Sequence, residues 1–353
     1  VSGMNKPVSV KLSPKSFNLR PVTITSEQVT AWHAKDAWAF IDFAFYNDYV
    51  LALIGIRGQF KTYLVLLDSA GGNVATLQVP KQADSIYTDC LGENHLFSGD
   101  SVYQVWYDYE KLSLPYASER NSFAQTMMPC KCSDRLFYYF SYRRYHAQKL
   151  DLYYAIKPAP GSPNGLEPLL AIHDSAKIDA FNLNYDLAYF LELRRRHVGY
   201  LEPVDSMIAH LDFYREQLPL SVNEKQWLYP VHAPMVMCGS EMYLVHPLDS
   251  TLQCYTGATC VNKVYFAGMR LEGWKSELYA DALTKSLYTR TINKQGISTF
   301  LRIDPQTGNV LSKTEVAKHP FIVNPQIRSG QLYFLWWDIS SEQPVKLWTM
   351  YLN

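Results

Sequence analysis

The sequence predicts an all-β fold in which four-stranded sheets pack radially, a β-propeller, with seven blades favoured and six as the alternative. Three observations lead there. A hairpin pattern recurs seven times: a strand rich in Tyr, Leu and Phe, a small polar turn, then a second strand, with first strands roughly 40 to 55 residues apart. Aromatic residues make up 14 % of the chain, with 26 Tyr, 16 Phe and 8 Trp, an excess that suits pleated surfaces. Strand and helix do not alternate at βαβ spacing, which argues against an α/β fold. A twisted sheet of ~45 residues cannot bury both faces alone, whereas radial packing buries them and leaves only short protected edges.

The elements follow in order. Residues 8–24 hold a free strand (8–12 or 17–24), and 26–36 is a candidate short helix. The first unit, 37–80, pairs 49–56 with 62–68, preceded by 37–45 and followed by 74–79. The second, 81–117, pairs 95–98 with 102–108, between 85–90 and 112–116. The third, 122–173, pairs 135–142 with 149–156, between 123–130 and 166–172. The fourth, 176–214, pairs 187–193 with 198–202, between 177–183 and 208–213. Its end could be read as a helix over 206–218, with Asp205 or Ser206 as N-cap, but Ala209, Leu211 and Phe213 alternate as in a strand.

The fifth unit, 228–267, pairs 242–246 with 252–256, between 228–237 and 261–266. The sixth, 275–317, pairs 286–292 with 298–304, between 277–282 and 310–316. The seventh, 320–353, pairs 332–337 with 345–351 after 321–328, and lacks a fourth strand. The spare N-terminal strand would fill that place and close the ring, so 1–353 reads as one propeller domain. The second and fourth units are the weakest, and six larger blades of ~59 residues would fit the same length.

Composition bounds the function. The 353 residues carry 33 Lys+Arg against 33 Asp+Glu, a formal net charge of zero. Such a balance argues against a dedicated nucleic-acid or anionic-membrane binder. With 48 % hydrophobic and 19 % charged residues the chain is globular, with a core to bury. No uncharged apolar stretch reaches ~18 residues, so no transmembrane helix is expected. The N-terminus has no apolar signal core; either a signal was removed or Met4 is a native start, and export to a periplasm or cell surface is favoured over the cytoplasm. Six cysteines do not make a disulfide-dependent scaffold, and no Asn-x-Ser/Thr sequon occurs. A monomer is expected.

The turns agree with hairpins. The runs Asp68-Ser69-Ala70-Gly71-Gly72-Asn73-Val74 and Asp304-Pro305-Gln306-Thr307-Gly308-Asn309-Val310 both read strand, Asp, Gly-containing turn, strand. The segment Leu301-Arg302-Ile303-Asp304-Pro305-Gln306-Thr307-Gly308-Asn309-Val310-Leu311, and more weakly 66–75, resembles the bacterial propellers of the quinoprotein-like, YVTN-like and TolB-like superfamily. This resemblance covers under a tenth of the chain and implies a fold, not an activity. Ser312 stands where quinoprotein repeats carry Trp, which argues against quinone binding.

Loops between second and third strands share one propeller face with the connections between blades. Four are cationic: Arg57-Gly58-Gln59-Phe60-Lys61, Arg143-Arg144-Tyr145-His146, Arg194-Arg195-Arg196-His197 and Asn293-Lys294-Gln295-Gly296. Guanidinium forks bind carboxylate or phosphate in bidentate geometry, and a neighbouring His adds a donor. Candidate ligand-binding residues are therefore Arg57, Arg143, Arg144, His146, Arg195, Arg196 and His197, with Tyr145 and Tyr200 available for stacking. The competing reading is that these are ordinary solvated loops.

No nucleophile elbow, Walker loop, dinucleotide fingerprint or His-Glu-x-x-His motif is present, so no catalytic residue and no cofactor is assigned. No metal site is assigned either: Cys130-x-Cys132 lacks a second pair and reads as buried thiols or one local disulfide, and no histidine has partners at ligand spacing. Asp89, Asp100, Asp249 and Asp338 could line a channel mouth or cap turns; Trp106, Trp336 and Trp337 could be platforms or blade packing. The leading expectation is a non-enzymatic propeller that binds an anionic small molecule, acidic glycan or acidic protein segment. The alternatives are a glycan-processing hydrolase or lyase with channel-mouth carboxylates, and a scaffold in a larger complex.

Overall fold

A strand buried on both faces must be apolar at every position, and Tyr49–Ile56 (YVLALIGI) is such a strand. Val50, Ala52 and Ile54 face one neighbouring sheet, while Leu51 and Leu53 face the other. That two-sided demand is the physical signature of a blade, and it organises the whole molecule. The computed structural model describes residues 22–24, 30–31, 38–56, 58, 61–80, 82–134, 136–146, 149–158, 167–173, 233–337 and 344–352.

Two short N-terminal strands come first, β1 (Val22–Ile24) and β2 (Thr30–Ala31). Six antiparallel sheets follow. The first holds β3 (Trp38–Tyr46), β4 (Tyr49–Ile56), β5 (Thr62–Leu67) and β6 (Asn73–Val79). The second holds β7 (Ala83–Thr88), β8 (Asn94–Ser98), β9 (Ser101–Tyr107) and β10 (Leu112–Glu119). Helix α1 (Arg120–Thr126) leads into the third, with β11 (Cys130–Ser133), β12 (Phe137–His146), β13 (Lys149–Pro158) and β14 (Glu167–His173).

The fourth sheet holds β15 (Met235–Cys238), β16 (Glu241–His246), β17 (Thr251–Thr256) and β18 (Thr259–Tyr265). The fifth holds β19 (Trp274–Asp281), β20 (Ser286–Ile292), β21 (Ser298–Ile303) and β22 (Val310–Glu315). The sixth holds β23 (Val323–Arg328), β24 (Gln331–Trp336) and β25 (Lys346–Tyr351). In each sheet successive strands are neighbours, the up-and-down order of a propeller blade. The fold is an all-β propeller.

Among the described residues, apolar clusters join five neighbouring pairs of sheets, while the second and third are linked by the Cys90–Cys130 disulfide and by the Ser133 hydroxyl, which donates to the Cys90 carbonyl. Leu51, Leu53, Leu64 and Leu66 of the first meet Leu96, Val105 and Leu112 of the second. Tyr139 of the third packs with Met235, Met242, Leu244 and Tyr255 of the fourth, so these two sheets are in direct contact. Val245 and Leu252 of the fourth meet Leu278, Leu287 and Leu301 of the fifth. Tyr288 and Phe300 of the fifth meet Leu332, Phe334 and Met350 of the sixth. Leu335 and Leu347 of the sixth pack back against Phe43, Val50 and Val65 of the first. The expected fourth unit, 176–214, lies outside the described residues.

Three sequence expectations need correction. The strand that completes the last sheet is β2, paired antiparallel with β25 (Thr30 opposite Thr349), and it falls outside the expected 8–24 segment and inside the expected 26–36 helix. Within 8–24, Val22–Ile24 pairs in parallel with β22, on the edge of the preceding sheet. The segment expected as a strand over 123–130 is helix α1 in its first half and a turn beyond it, with the sheet's first strand starting only at Cys130. Its sequence, RNSFAQT, offers no period-2 pattern, and it buries only Phe123, against Phe97, Tyr87 and His95. Lastly, Cys130 pairs with Cys90 of the second sheet's first turn, not with Cys132. Cys132 remains a buried thiol, pushed up to about 12 by loss of solvent.

The turns repeat one device. Asp68 Oδ1 accepts the backbone N–H groups of Ala70 and Gly72, and Asp304 Oδ1 accepts that of Gln306, as expected of Asp at these positions. Asp89, Asp108, Asp134, Asp281 and Asn293 do the same. Gly308, at φ +71°, has no room for a side chain, because a Cβ there would collide with the Tyr265 carbonyl of the fourth sheet.

Candidate functional site

The seven predicted ligand-binding residues fare unevenly. Arg57, Arg195, Arg196 and His197 lie outside the described residues. Arg143, Arg144 and His146 are not in a loop; their backbone continues β12, paired with Leu152, Asp151 and Lys149 of β13. A Tyr-rich strand with an equally long partner extends its ladder through polar residues, because each further rung satisfies two backbone groups. Arg143, Arg144 and His146 therefore sit at the C-terminal end of β12. The fourth cationic loop is a tight turn: Asn293 Oδ1 accepts the N–H groups of Gln295 and Ile297, and Gly296 lies under the Phe321 ring.

Carboxylates near the first strands of the sheets are committed to structure. Asp42, in β3, accepts from Ile86 N (2.7 Å) of the second sheet and from Asn324 Nδ2 (2.6 Å) of the sixth, and also from Phe43 N (2.9 Å). One side chain thus ties three sheets together. Burial raises its pKa, against these three donors that lower it. Asn324 adopts a left-handed φ of 46° that Asn tolerates, and its amide also reaches the Phe43 carbonyl. Asp84 is bonded by Arg120 of α1 at 2.9 Å.

Of the aspartates expected at turns or a channel mouth, Asp89 caps its turn and holds His95 Nε2 at 2.9 Å. Its pKa is lowered overall: burial, the largest single influence, raises it, but the bonds from His95, Glu93 and Leu91 outweigh it. Asp249 pairs with Lys263 at 3.0 Å. Asp338 lies outside the described residues.

One polar and aromatic grouping among the described residues was missed by sequence reasoning. It lies between the fifth and sixth sheets. Arg290 of β20 forms a two-pronged pair with Glu277 of β19, Nε to Oε2 and Nη2 to Oε1, both at 2.7 Å. The Tyr279 hydroxyl donates to the same carboxylate at 2.5 Å. His319, on the connection between these sheets, lies among Trp336, Trp348 and Phe334, with ring centroids 4.6, 4.7 and 5.7 Å away. Trp336 donates its indole N–H to the Pro320 carbonyl, so this Trp serves blade packing. Trp337 beside it is 52 % exposed. The only sequence signal was a lone His and a Trp pair, both ordinary in sheets.

Among the described residues no group of three or more metal-ligating side chains converges, and no helix is long and apolar enough to cross a membrane. No protein family matches the sequence, and neither does any curated protein. Solved structures do resemble the fold. A chain of a mitotic checkpoint complex aligns with TM-score 0.42 at 11 % identity, over 98 % of this chain and 99 % of that one. A luciferin-regenerating enzyme aligns with TM-score 0.36 at 9 % identity, over 90 % and 92 %. Hsv2 of Kluyveromyces lactis aligns with TM-score 0.34 at 7 % identity, over 85 % and 70 %. Likeness this distant says nothing of activity.

Proposed function

We propose that this chain is a binding propeller rather than an enzyme, and that it takes an anionic small molecule, an acidic glycan or an acidic protein segment on a cationic face built from Arg57, Arg143, Arg144, His146, Arg195, Arg196 and His197. The observation that carries the reading is the recurrence of the basic runs Arg57–Lys61, Arg143–His146 and Arg194–His197 along a chain of zero net charge. Support comes from the carboxylates. A glycan hydrolase needs two carboxyl groups free to face a substrate. Asp42, Asp84 and Glu277 instead spend their oxygens on neighbouring backbone, amide and guanidinium groups.

Calorimetric titration with citrate, polygalacturonate and a poly-glutamate peptide at low salt tests it. At least one should bind, weaken as salt rises, and lose more than about tenfold in affinity in the Arg144→Glu/Arg195→Glu variant, as expected when charge-assisted bonds are replaced by repulsion. No binding by any of the three, or equal affinity in the variant, overturns the reading.

A scaffold role is the second reading, favoured by apolar side chains on outer strands. Trp106 (47 % exposed) and Tyr116 (69 %) share one face of the second sheet, because Trp106 pairs with Ser113 and Tyr116 with Gln104. The Cys90–Cys130 disulfide supports an oxidising compartment, consistent with export.

A further inference from the structure

Buried polar atoms are almost always hydrogen-bonded, so those that are not mark places with a function to find. Among the described residues four buried side-chain atoms have no hydrogen-bond partner: Arg290 Nη1, Ser298 Oγ, His319 Nδ1 and Trp348 Nε1. All four belong to the seam between the fifth and sixth sheets. Arg290, Ser298 and His319 are each more than nine-tenths buried, at 8, 0 and 7 % exposure.

Chain geometry draws them together. Arg290 lies opposite Phe300, and Ser298 opposite Ile292, so Arg290 and Ser298 are diagonal neighbours on the β20–β21 face that carries Tyr288 and Phe300 into the seam. Val316 N donates to the Ser298 carbonyl, and His319 N to the Val316 carbonyl, which brings the His319 backbone to the same end. The His319 ring then reaches Trp348 at 4.7 Å. Trp348 faces the seam from the sixth sheet, since its neighbour Leu347 points to the first.

We propose that Arg290 Nη1, Trp348 Nε1, Ser298 Oγ and, in its Nδ1–H tautomer, His319 form a binding site for a small monoanion, a halide or the carboxylate of a small acid. The donor count selects the class. Arg290 Nη1 carries two N–H bonds and Trp348 Nε1 one, and none of these can accept. One water offers lone pairs to two of them and leaves the third unpaired; an acceptor-only ion takes all three together with the Ser298 hydroxyl. The Arg290 cation meets Glu277 through Nε and Nη2, and Nη1 is the prong left for a second acceptor. The site is separate from the cationic face proposed above and stands or falls independently of it.

Bromide and formate are the probes. In crystals soaked in sodium bromide, an anomalous peak is expected within hydrogen-bonding reach of Arg290 Nη1 and Trp348 Nε1. In solution, bromide and formate should each raise the unfolding midpoint with a saturating concentration dependence, which a general salt effect lacks, by preferential binding to the folded state. Trp348→Phe keeps the ring and removes one donor, so it should weaken the bromide effect roughly tenfold. The formate arm separates an organic carboxylate from a halide: a formate effect without a bromide effect assigns the site to carboxylates, and the reverse assigns it to halides. The inference is overturned by no midpoint shift with either anion, by an adventitious ion only (a crystal peak with no midpoint shift in solution), or by a midpoint shift that Trp348→Phe leaves unchanged. The wild-type arms stand even if that variant does not fold.

Discussion

Two seams of this propeller solve the same packing problem by opposite means. Between the first and second sheets the contact is aliphatic: Leu51, Leu53, Leu64, Leu66 and Leu96 are all fully buried. Between the fifth and sixth it is aromatic and polar, with Arg290, Glu277, Ser298 and His319 set among Tyr279, Tyr288, Phe300, Trp336 and Trp348. Each buried leucine stabilises the first seam by about 1.5–3 kcal/mol relative to exposure, with no directional requirement. The second seam stabilises only while its ion pair and hydrogen bonds keep their geometry. Non-directional packing suits a wedge whose purpose is to stay shut, and directional packing suits one that selects what lies inside it.

That contrast can be broken from either side. The largest effect is expected in the aliphatic seam, where Leu64→Ala should cost about 2–5 kcal/mol by leaving a cavity that the close-packed sheets cannot collapse. Denaturant unfolding measures this, and a loss below 1 kcal/mol would mean that the seam is loosely packed. Next comes Glu277→Gln, which should cost roughly 1.5–3 kcal/mol by replacing charge-assisted bonds to Arg290 with weaker ones. If the variant proves as stable as the parent, the Arg290–Glu277 pair does not hold the seam.

A smaller effect concerns pH. His319 has its pKa lowered below 6.5, by burial first and then by Lys318, and His246 is lowered by burial. The unfolded chain therefore takes up protons first as pH falls below 6.5, and the stability held by the neutral imidazoles is lost between that value and their lower folded ones. Asp89 and Asp281, lowered below 3.8, add a second loss beneath that value. Midpoints measured across pH 7 to 5 should fall in the parent and fall less in His319→Phe. Equal slopes would show that His319 does not titrate in this range.

Much of the sheet architecture was legible in the sequence because its cause is local. The run at Tyr49–Ile56, the turn aspartates Asp68 and Asp304 and the glycines beside them carry their own instructions, since strand alternation and turn chemistry act within a few residues. The second unit, thin in sequence at 95–98, is a full four-stranded sheet. What failed was set by partners distant along the chain. Helix α1 exists where a strand was expected because Phe123 finds Phe97 and Tyr87 to pack against. Cys130 finds Cys90 rather than its near neighbour because two sheets meet there.

By itself, then, the sequence determined an all-β repeat fold, turns such as those at Asp68 and Asp304, and a net charge of zero, all of which follow from period, turn residues and summed charge. Only the tertiary structure decided that Thr30–Ala31 completes the last sheet, that Asp42 ties three sheets, and that four buried polar atoms without partners belong to residues of one seam. Hydrogen bonds and buried charge depend on distances between residues up to 283 positions apart, and no local pattern in a chain encodes them.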